Sequence, residues 1–366
     1  MRLRVALPVA LSLALVTLAF GAGLQVWPKI QGHPNFHIGI PDSWHAQHPI
    51  DRESYGEGWF WMGAYDDGSY HFANFMVTNL GPGDQKGTVD ATIWEPGGTT
   101  HMARLAFDKD SFKASKDRLD VKIGQSRIWG SQPNFHLQLA AKDVALDLNY
   151  QAQLPGVALN SGRVIYGDPE NFYSVYTTIP RAKISGRITT PSGSREVNGY
   201  GYSDHGVVTM LPHQYSKRWY TLRCFHEKYT FDILEFTVPP KWGSQRVGLA
   251  ILGRDDKILY AGSRYALTGT SVQREPKWGV PFPRRYDFSI DRPGKVKLSG
   301  HYTVKQQMHA IDVLSQLSFL ERQIAKLFAK SYILRFLVEV TAEVTLPDGT
   351  TEKFTAPGVA EVVQIK

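Results

Sequence analysis

The chain has 366 residues, of which 20% are charged and 42% are hydrophobic. This length allows two domains with sizeable cores, and this balance excludes both a disordered chain and a polytopic membrane protein. The formal net charge of +7 is spread along the chain, so it permits contact with anionic lipid headgroups without indicating nucleic-acid binding. A single cysteine, Cys224, excludes an intramolecular disulfide and a zinc site built on paired cysteines.

The N-terminal segment has the pattern of a targeting sequence. Arg2 and Arg4 precede an apolar run to about Phe20, which small residues follow. The apolar character continues to Trp27, which gives roughly the 20 residues that a membrane-spanning helix needs. We therefore expect residues 1–26 to be either a cleaved signal peptide or an uncleaved anchor. In both cases the rest of the chain would lie in the bacterial periplasm.

Beyond residue 51 the sequence alternates apolar and polar residues in short segments that turn residues separate. The spacing of these turns, roughly 8–12 residues, predicts an antiparallel β-barrel or sandwich. A turn-rich stretch at 189–194 suggests two all-β domains, 27–190 and 191–366. The predicted strands are Gly58–Tyr65, Tyr70–Asn79, Gly87–Trp94, Leu119–Ile123, Asn134–Ala140 and Val144–Gln153, then a series beginning near Glu196, Trp219–Phe225, Phe231–Val238, Arg246–Leu252, Ile258–Leu267 and Arg284–Ile290.

One segment of the C-terminal domain, residues 306–337, breaks the strand pattern. Its apolar residues recur at three- and four-residue spacing, and Arg322, Lys326 and Lys330 share one helical face. The pattern predicts an amphipathic helix. Such a helix could lie across a barrel mouth with its basic face in solvent, or act as a lid that contacts a membrane surface.

The segment Gly199–Gly206 brings two acid–base groups, Asp204 and His205, together with the phenol of Tyr202. On a strand, Tyr202 and Asp204 project to one face and His205 to the other, which argues against a simple Asp–His pair. In one interpretation Asp204 is a general acid assisted by Tyr202. In the other, this segment is a strand end whose carboxylate accepts structural hydrogen bonds.

Aromatic residues are the other candidates for ligand contact. Trp59 and Trp61 face the same side of their predicted strand, where they either fill the core or line an apolar cavity. The histidines lack metal-site spacing, and neither a nucleophile motif nor a phosphate-binding loop is present. The sequence therefore predicts no metal and no cofactor.

The order of several motifs resembles the two-domain lipocalin-like family that includes the fungal survival-factor proteins. A more distant likeness to the bacterial carotenoid 1,2-hydratases rests on Gly201-Tyr202-x-Asp204-His205, although the Trp-Gly pair typical of those enzymes is replaced by Gly206–Val208. The motifs that carry the first resemblance are Glu57–Trp61, Val197–Gly201, Leu211–Gln214, Lys217–Trp219, Leu234–Ser244, Gly253–Gly262 and Thr345–Gly349.

The resemblance implies two β-barrel domains side by side and an apolar lipid ligand, with ceramide or sphingolipid transfer between membranes. We expect a carrier for such a lipid across the periplasm, with membrane contact through residues 306–337. The alternative is a hydratase or isomerase of an isoprenoid or polyketide alkene that uses Asp204 and Tyr202. The residues predicted to contact the ligand are Trp59, Trp61, Tyr202, His205, His213 and Trp219.

Overall fold

The computed structural model describes residues 36–80, 84–316 and 330–365, and these residues form an almost entirely antiparallel β-structure. A short helix, α1 (Pro212–Tyr215), connects the two sheets, and 3-10 turns lie at Asp42–Trp44, Lys109–Ser111, Pro240–Trp242 and Val313–Gln316. The strands are β1 (Phe36–Ile38), β2 (Gly56–Tyr65), β3 (Tyr70–Thr78), β4 (Lys86–Trp94), β5 (Thr100–Phe107), β6 (Phe112–Ala114), β7 (Leu119–Ile123), β8 (Ser126–Ser131), β9 (Asn134–Ala141), β10 (Val144–Ala152), β11 (Val157–Tyr166), β12 (Asp168–Thr190), β13 (Gly193–Val208), β14 (Arg218–Phe225), β15 (Tyr229–Thr237), β16 (Arg246–Arg254), β17 (Lys257–Gly262), β18 (Ala266–Arg274), β19 (Pro281–Arg292), β20 (Val296–Asp312), β21 (Ser331–Thr345) and β22 (Thr351–Ile365).

The first sheet has 13 strands and runs in the order β5-β4-β3-β2-β13-β12-β10-β9-β8-β7-β6, with β11 paired to β12 and β1 paired to β11. Strand β12 is 23 residues long, so it pairs with β11 in its first half and with β10 in its second half. The sheet curls until its inner face closes on one core, and Trp59, Phe75, Leu137 and Tyr150 lie in that core. Strands β9 and β10 alternate buried and exposed residues, because their outer face meets solvent.

The second sheet has nine strands in the order β17-β16-β15-β14-β22-β21-β20-β19-β18. It surrounds its own core, which contains Tyr220, Phe231, Phe288 and Tyr302. The thiol of Cys224 belongs to this core, where the residue is 2% exposed.

The two sheets pack against each other through their outer faces. We call this contact the interface layer; its buried residues include Met62, Phe72 and Tyr202 from the first sheet and Phe225, Met308 and Val359 from the second. Strands β2 and β14 are therefore buried on both faces over most of their length. Nearly continuous burial of this kind is expected for strands between a barrel core and a neighbouring sheet.

The predicted all-β architecture is confirmed, and so are most of the predicted strands. The segment predicted as a single strand, Ile258–Leu267, is divided between β17 and β18. The predicted division at residue 190 does not coincide with the sheets, because 191 and 192 form the turn between β12 and β13, which pair along their length. The chain leaves the first sheet after Val208 and enters the second at Arg218.

The prediction of a helix over residues 306–337 is wrong at both ends of that segment. Residues up to Asp312 belong to β20 and those from Ser331 belong to β21, and the two strands pair from Lys297 with Thr345 to Asp312 with Tyr332. Strand β22 supplies β21 with a second hydrogen-bonded neighbour, and this tertiary pairing outweighs the helical spacing of the apolar residues. The middle of that segment, 317–329, lies outside the described residues.

The predicted leader, residues 1–26, also lies outside the described residues. Among those that are described, the structure contains no helix with the length and apolar character required to cross a membrane.

Candidate functional site

The acid–base residues of strand β13 lie in two different environments, one on each face of the strand. Tyr202 and Asp204 face the interface layer, whereas His205 points into the first barrel. The register of β13 with β2 places Asp204 opposite Phe60 and His205 opposite Trp59. Asp204 and His205 thus lie on opposite faces, as expected for a strand, and do not form a catalytic pair.

Four charged side chains form a network inside the interface layer, which we call the interface ion network. Arg223 Nη2 lies 3.1 Å from Asp204 Oδ2, and Arg223 Nη1 lies 2.7 Å from Glu361 Oε2. The other oxygen of Glu361 is 2.6 Å from Arg335 Nε. Two carboxylates and two guanidinium groups balance each other in this buried position, as buried charges require.

Aromatic rings enclose the two arginines. The Arg223 guanidinium lies 4.6 Å from the Tyr202 ring centre and 5.2 Å from that of Phe60. Arg335 lies 4.4 Å from the ring centre of Phe72. Cation–π contacts of this kind strengthen when water is excluded, so they hold the network in place.

Burial and ion pairing shift the acidic groups of this region in opposite directions. Burial raises the pKa of Asp204, and the nearby Arg223 offsets only part of the shift. Burial also acts to raise the pKa of Glu361, but Arg335 and Arg223 outweigh it and hold that pKa at about 2. Asp232, whose Oδ2 is buried without a hydrogen-bond partner, has its pKa raised well above the usual value by burial.

The predicted ligand-contacting residues of the first barrel lie in its filled core. The Trp59 ring stacks on His205 at 4.8 Å, and Trp61 packs edge-on against Tyr150 at 4.8 Å. His205 Nε2 lies 2.7 Å from Oε1 of Glu57, an acidic residue of the same core. Trp59, Trp61 and His205 are each at most 2% exposed, so they fill the barrel centre.

His213 and Trp219 lie in a third place, near the passage between the sheets. His213 belongs to α1, and the Trp219 ring stacks on Tyr173 at 5.7 Å. Burial, followed by the charge of Lys241, lowers the pKa of His213. His213 Nδ1 and Trp219 Nε1 are buried without a hydrogen-bond partner. The six residues predicted as ligand contacts are thus distributed over three locations.

The structure also contains a cavity that the sequence analysis missed, at one end of the second barrel. We call it the Tyr220 cavity; it has a volume of about 320 Å³, and its lining includes Arg218, Tyr220, Glu235, Leu267, Pro283 and Tyr286. The Tyr220 ring lies 4.6 Å from Tyr286 and 6.2 Å from Tyr302. Burial raises the pKa of Tyr220 well above the usual value, so its phenol is protonated at neutral pH.

Polar atoms in this cavity can receive a ligand. Arg218 Nη2 donates to the Tyr286 hydroxyl at 3.3 Å, whereas Arg218 Nε and the Tyr220 hydroxyl are buried without a hydrogen-bond partner. A guanidinium N–H and a phenol beside aromatic walls suit a neutral hydroxyl or amide group with an attached hydrocarbon chain. The sequence signal that could have indicated this cavity is the alternation Arg218-x-Tyr220-x-Leu222, because on a strand it places all three side chains on one face.

Comparison with known proteins gives a consistent family assignment. The model of the Svf1 family matches residues 74–365. A ceramide-binding protein svf1 from Emericella nidulans is 26% identical over 265 residues, which cover 69% of this chain and 68% of that protein. A ceramide-binding protein SVF1 from Yarrowia lipolytica is 25% identical over 236 residues, and the match spans 58% of each chain, less than two thirds of that relative.

Two solved structures share the fold. A protein assigned as AttH from Nitrosomonas europaea superposes with a TM-score of 0.59 at 14% identity and covers 91% of this chain and 97% of its own. Kievitone hydratase from Nectria haematococca gives a TM-score of 0.55 at 11% identity, with coverage of 89% and 93%. At such identities the likeness shows the lipocalin-like fold and carries no argument about chemistry.

Proposed function

This chain belongs to the Svf1 family, and we propose that it binds a ceramide-type lipid, with the polar end of the lipid in the Tyr220 cavity. The observation that carries the proposal is the pair of unpartnered buried donors, Arg218 Nε and the Tyr220 hydroxyl. The names of the two fungal relatives support the class of ligand.

The chemistry of a ceramide matches this cavity. Its polar end carries an amide and hydroxyl groups but no charge, so it needs hydrogen-bond partners and no counter-ion. Two of the charged residues of the cavity wall pair with each other, because Arg246 Nη2 lies 2.6 Å from Glu235 Oε2. Arg218 is then the charged residue of the lining that is left to donate hydrogen bonds to the lipid. Satisfying two buried donors removes the cost of leaving them unpaired, about 1–3 kcal/mol each.

The size of the cavity limits what it holds. About 320 Å³ is at the low end of ligand pockets, so it accommodates the polar end and the adjoining methylene groups of a two-chain lipid. Strand β18 is the edge strand of the second sheet and contributes residues to the cavity lining. One of them, Val272, is 63% exposed. Covering such apolar surface with an acyl chain contributes about 0.8 kcal/mol per buried CH2.

The test compares two arginine variants. Arg218→Met removes the donors while keeping most of the side-chain volume, and we expect it to weaken ceramide binding by roughly ten- to a hundredfold. Arg285→Met is the matched control, because Arg285 lies on β19 next to Tyr286, is 42% exposed and pairs with Asp287. Binding of a fluorescent ceramide by the full-length chain is the measurement. Equal affinity of the Arg218→Met variant and the wild type would refute this site.

Transfer of the lipid across the periplasm is a second part of the proposal. It rests on the apolar N-terminal run and on the basic residues of 306–337, through which we propose contact with a membrane surface. Cell fractionation and ceramide transfer between donor and acceptor vesicles test it. Recovery of the chain in the cytoplasm, or transfer no faster than without protein, would contradict it.

Hydration or isomerisation of an alkene is the second candidate function, because Tyr202 and Asp204 lie together in the interface layer, where burial raises the pKa of Asp204. Protonation of an alkene needs a general acid, and a carboxyl group is one of the side chains that can supply the proton. If this function holds, Asp204→Asn lowers turnover of an isoprenoid alkene by at least about a hundredfold and leaves ceramide affinity unchanged. Undiminished turnover by this variant would exclude Asp204 as the acid.

A further inference from the structure

A second cluster of polar side chains lies in the core of the first barrel, apart from the Tyr220 cavity. Glu57 stands on β2, His205 faces it from β13, and His48 precedes β2. His205 Nε2 and His48 Nδ1 both approach the same carboxylate oxygen, Glu57 Oε1, at 2.7 and 3.3 Å. The three ligand-type atoms lie within 4.8 Å of one another.

We propose that Glu57, His48 and His205 form a binding site for one zinc-like divalent transition-metal ion. Two imidazoles and one carboxylate are a donor set that zinc and related ions take in proteins. The proposal is independent of lipid binding, because the cluster lies in the other barrel.

The spacing of the three side chains suits an ion of this size. Two ligand atoms at 2.0–2.1 Å from a tetrahedral ion are about 3.3 Å apart. His48 Nδ1 is already at 3.3 Å from Glu57 Oε1, and His205 Nε2, at 2.7 Å, has to move outward by about 0.6 Å to reach the same separation. The ion would take the place of the protons that these atoms now share.

Neighbouring groups already orient the three ligands. His205 Nδ1 lies 2.9 Å from the carbonyl oxygen of Trp44, which leaves Nε2 to face Glu57. The Tyr55 hydroxyl donates to Glu57 Oε2, and the His48 backbone N–H lies 2.9 and 3.0 Å from the two carboxylate oxygens. Outer hydrogen bonds of this kind are typical of metal-binding histidines and carboxylates.

The cluster combines a buried interior with a route from solvent. The side chains of Glu57 and His205 are fully buried, whereas that of His48 is 29% exposed. An ion can therefore enter on the His48 side and still be shielded from water on the other. His48 and Glu57 are 9 positions apart in the chain and Glu57 and His205 are 148 positions apart, so sequence spacing could not reveal the site.

The test is a titration of the chelator-treated, full-length chain with Co²⁺, followed by its visible ligand-field absorption, and then displacement by Zn²⁺. We expect saturation at one equivalent and release of Co²⁺ by Zn²⁺. His48→Ala, in which a half-buried ligand is removed, should weaken Co²⁺ binding at least tenfold, and so should His205→Gln. Circular dichroism of each variant shows whether it is folded.

The matched control is His136→Ala. His136 also lies beside a carboxylate, 2.8 Å from Asp147, but on the exposed side of β9, so its loss should not change Co²⁺ affinity. Absence of saturable Co²⁺ absorption in the folded wild type would overturn the proposal. Undiminished binding by a folded His48→Ala variant would overturn it as well.

Discussion

At the scale of single residues, Glu361 is the carboxylate that joins the two arginines of the interface ion network. Its carboxylate oxygens contact Arg223 at 2.7 Å and Arg335 at 2.6 Å inside the interface layer. Glu361→Gln leaves these buried guanidinium groups with a single carboxylate, Asp204, so we expect a loss of about 3–5 kcal/mol in the free energy of unfolding.

Urea unfolding measures this change. Glu343→Gln is the matched control, because Glu343 lies on the neighbouring strand and pairs with exposed Lys353 at 3.1 Å. Such a surface pair contributes at most about 1 kcal/mol. Similar losses in both variants would contradict the importance assigned to the interface ion network.

The same carboxylate predicts how stability depends on pH. The pKa of Glu361 falls from an ordinary 4.5 to about 2 on folding, so its contribution is complete above pH 4.5 and is lost as the pH falls towards 2. The wild type and Glu361→Gln should therefore differ most in unfolding free energy above pH 4.5, and the difference should shrink on acidification. Asp204, whose pKa shifts upward, is present in both proteins. A difference that stays constant from pH 6 to about 2 would contradict this assignment.

The sequence held a signal for this network that could have been used. Arg223, Arg335 and Glu361 each interrupt an otherwise apolar strand, in the segments Leu222–Phe225, Ile333–Leu337 and Val359–Val363. A lone charge within a run that is buried on both faces needs a buried partner. The pairing itself could not be predicted, because it depends on the register of three strands from different parts of the chain.

At the scale of secondary structure, the contact between β13 and β2 depends on a close backbone approach. A Cβ atom added at Gly199 would lie 2.1 Å from the carbonyl oxygen of Ala64 and 2.8 Å from the Cα of Tyr65. Gly199→Ala must push the two strands apart, so we expect a loss of about 1–3 kcal/mol in thermal or urea unfolding.

Gly206 on the same strand provides the control. A Cβ atom there would meet nothing closer than 3.5 Å, so Gly206→Ala should be neutral or slightly stabilising. If Gly206→Ala costs as much as Gly199→Ala, the close approach is not the cause.

The strands themselves could largely be predicted, because alternation and turn residues are local properties. The boundaries of β7, for example, agree with the predicted Leu119–Ile123. The ends of β20 and β21 could not be predicted, because their conformation is fixed by pairing with each other and with β22. At 306–312 and 331–337 this strand pairing outweighs the helical periodicity of the sequence.

At the scale of the whole molecule, two barrels could be predicted, but the line between them could not. The turn at 191 and 192 looks like a linker in sequence, yet it closes the hairpin between the two longest strands of the first sheet. The actual passage, between Val208 and Arg218, contains the short helix α1 and no long polar stretch. The Tyr220 cavity depends on β14, β18 and β19, which distant parts of the chain bring together.

The burial of Cys224 allows the rate at which the second barrel opens to be measured by thiol labelling. The chain has one thiol, and it lies in the core of the second barrel, where it reacts with a disulfide reagent only while that barrel is open. The interface layer is shared, so weakening the first barrel through Gly199→Ala should also quicken the labelling of Cys224. An unchanged labelling rate would mean that the second barrel opens independently of the first, so that the proposed lipid could enter it without disturbing the first barrel.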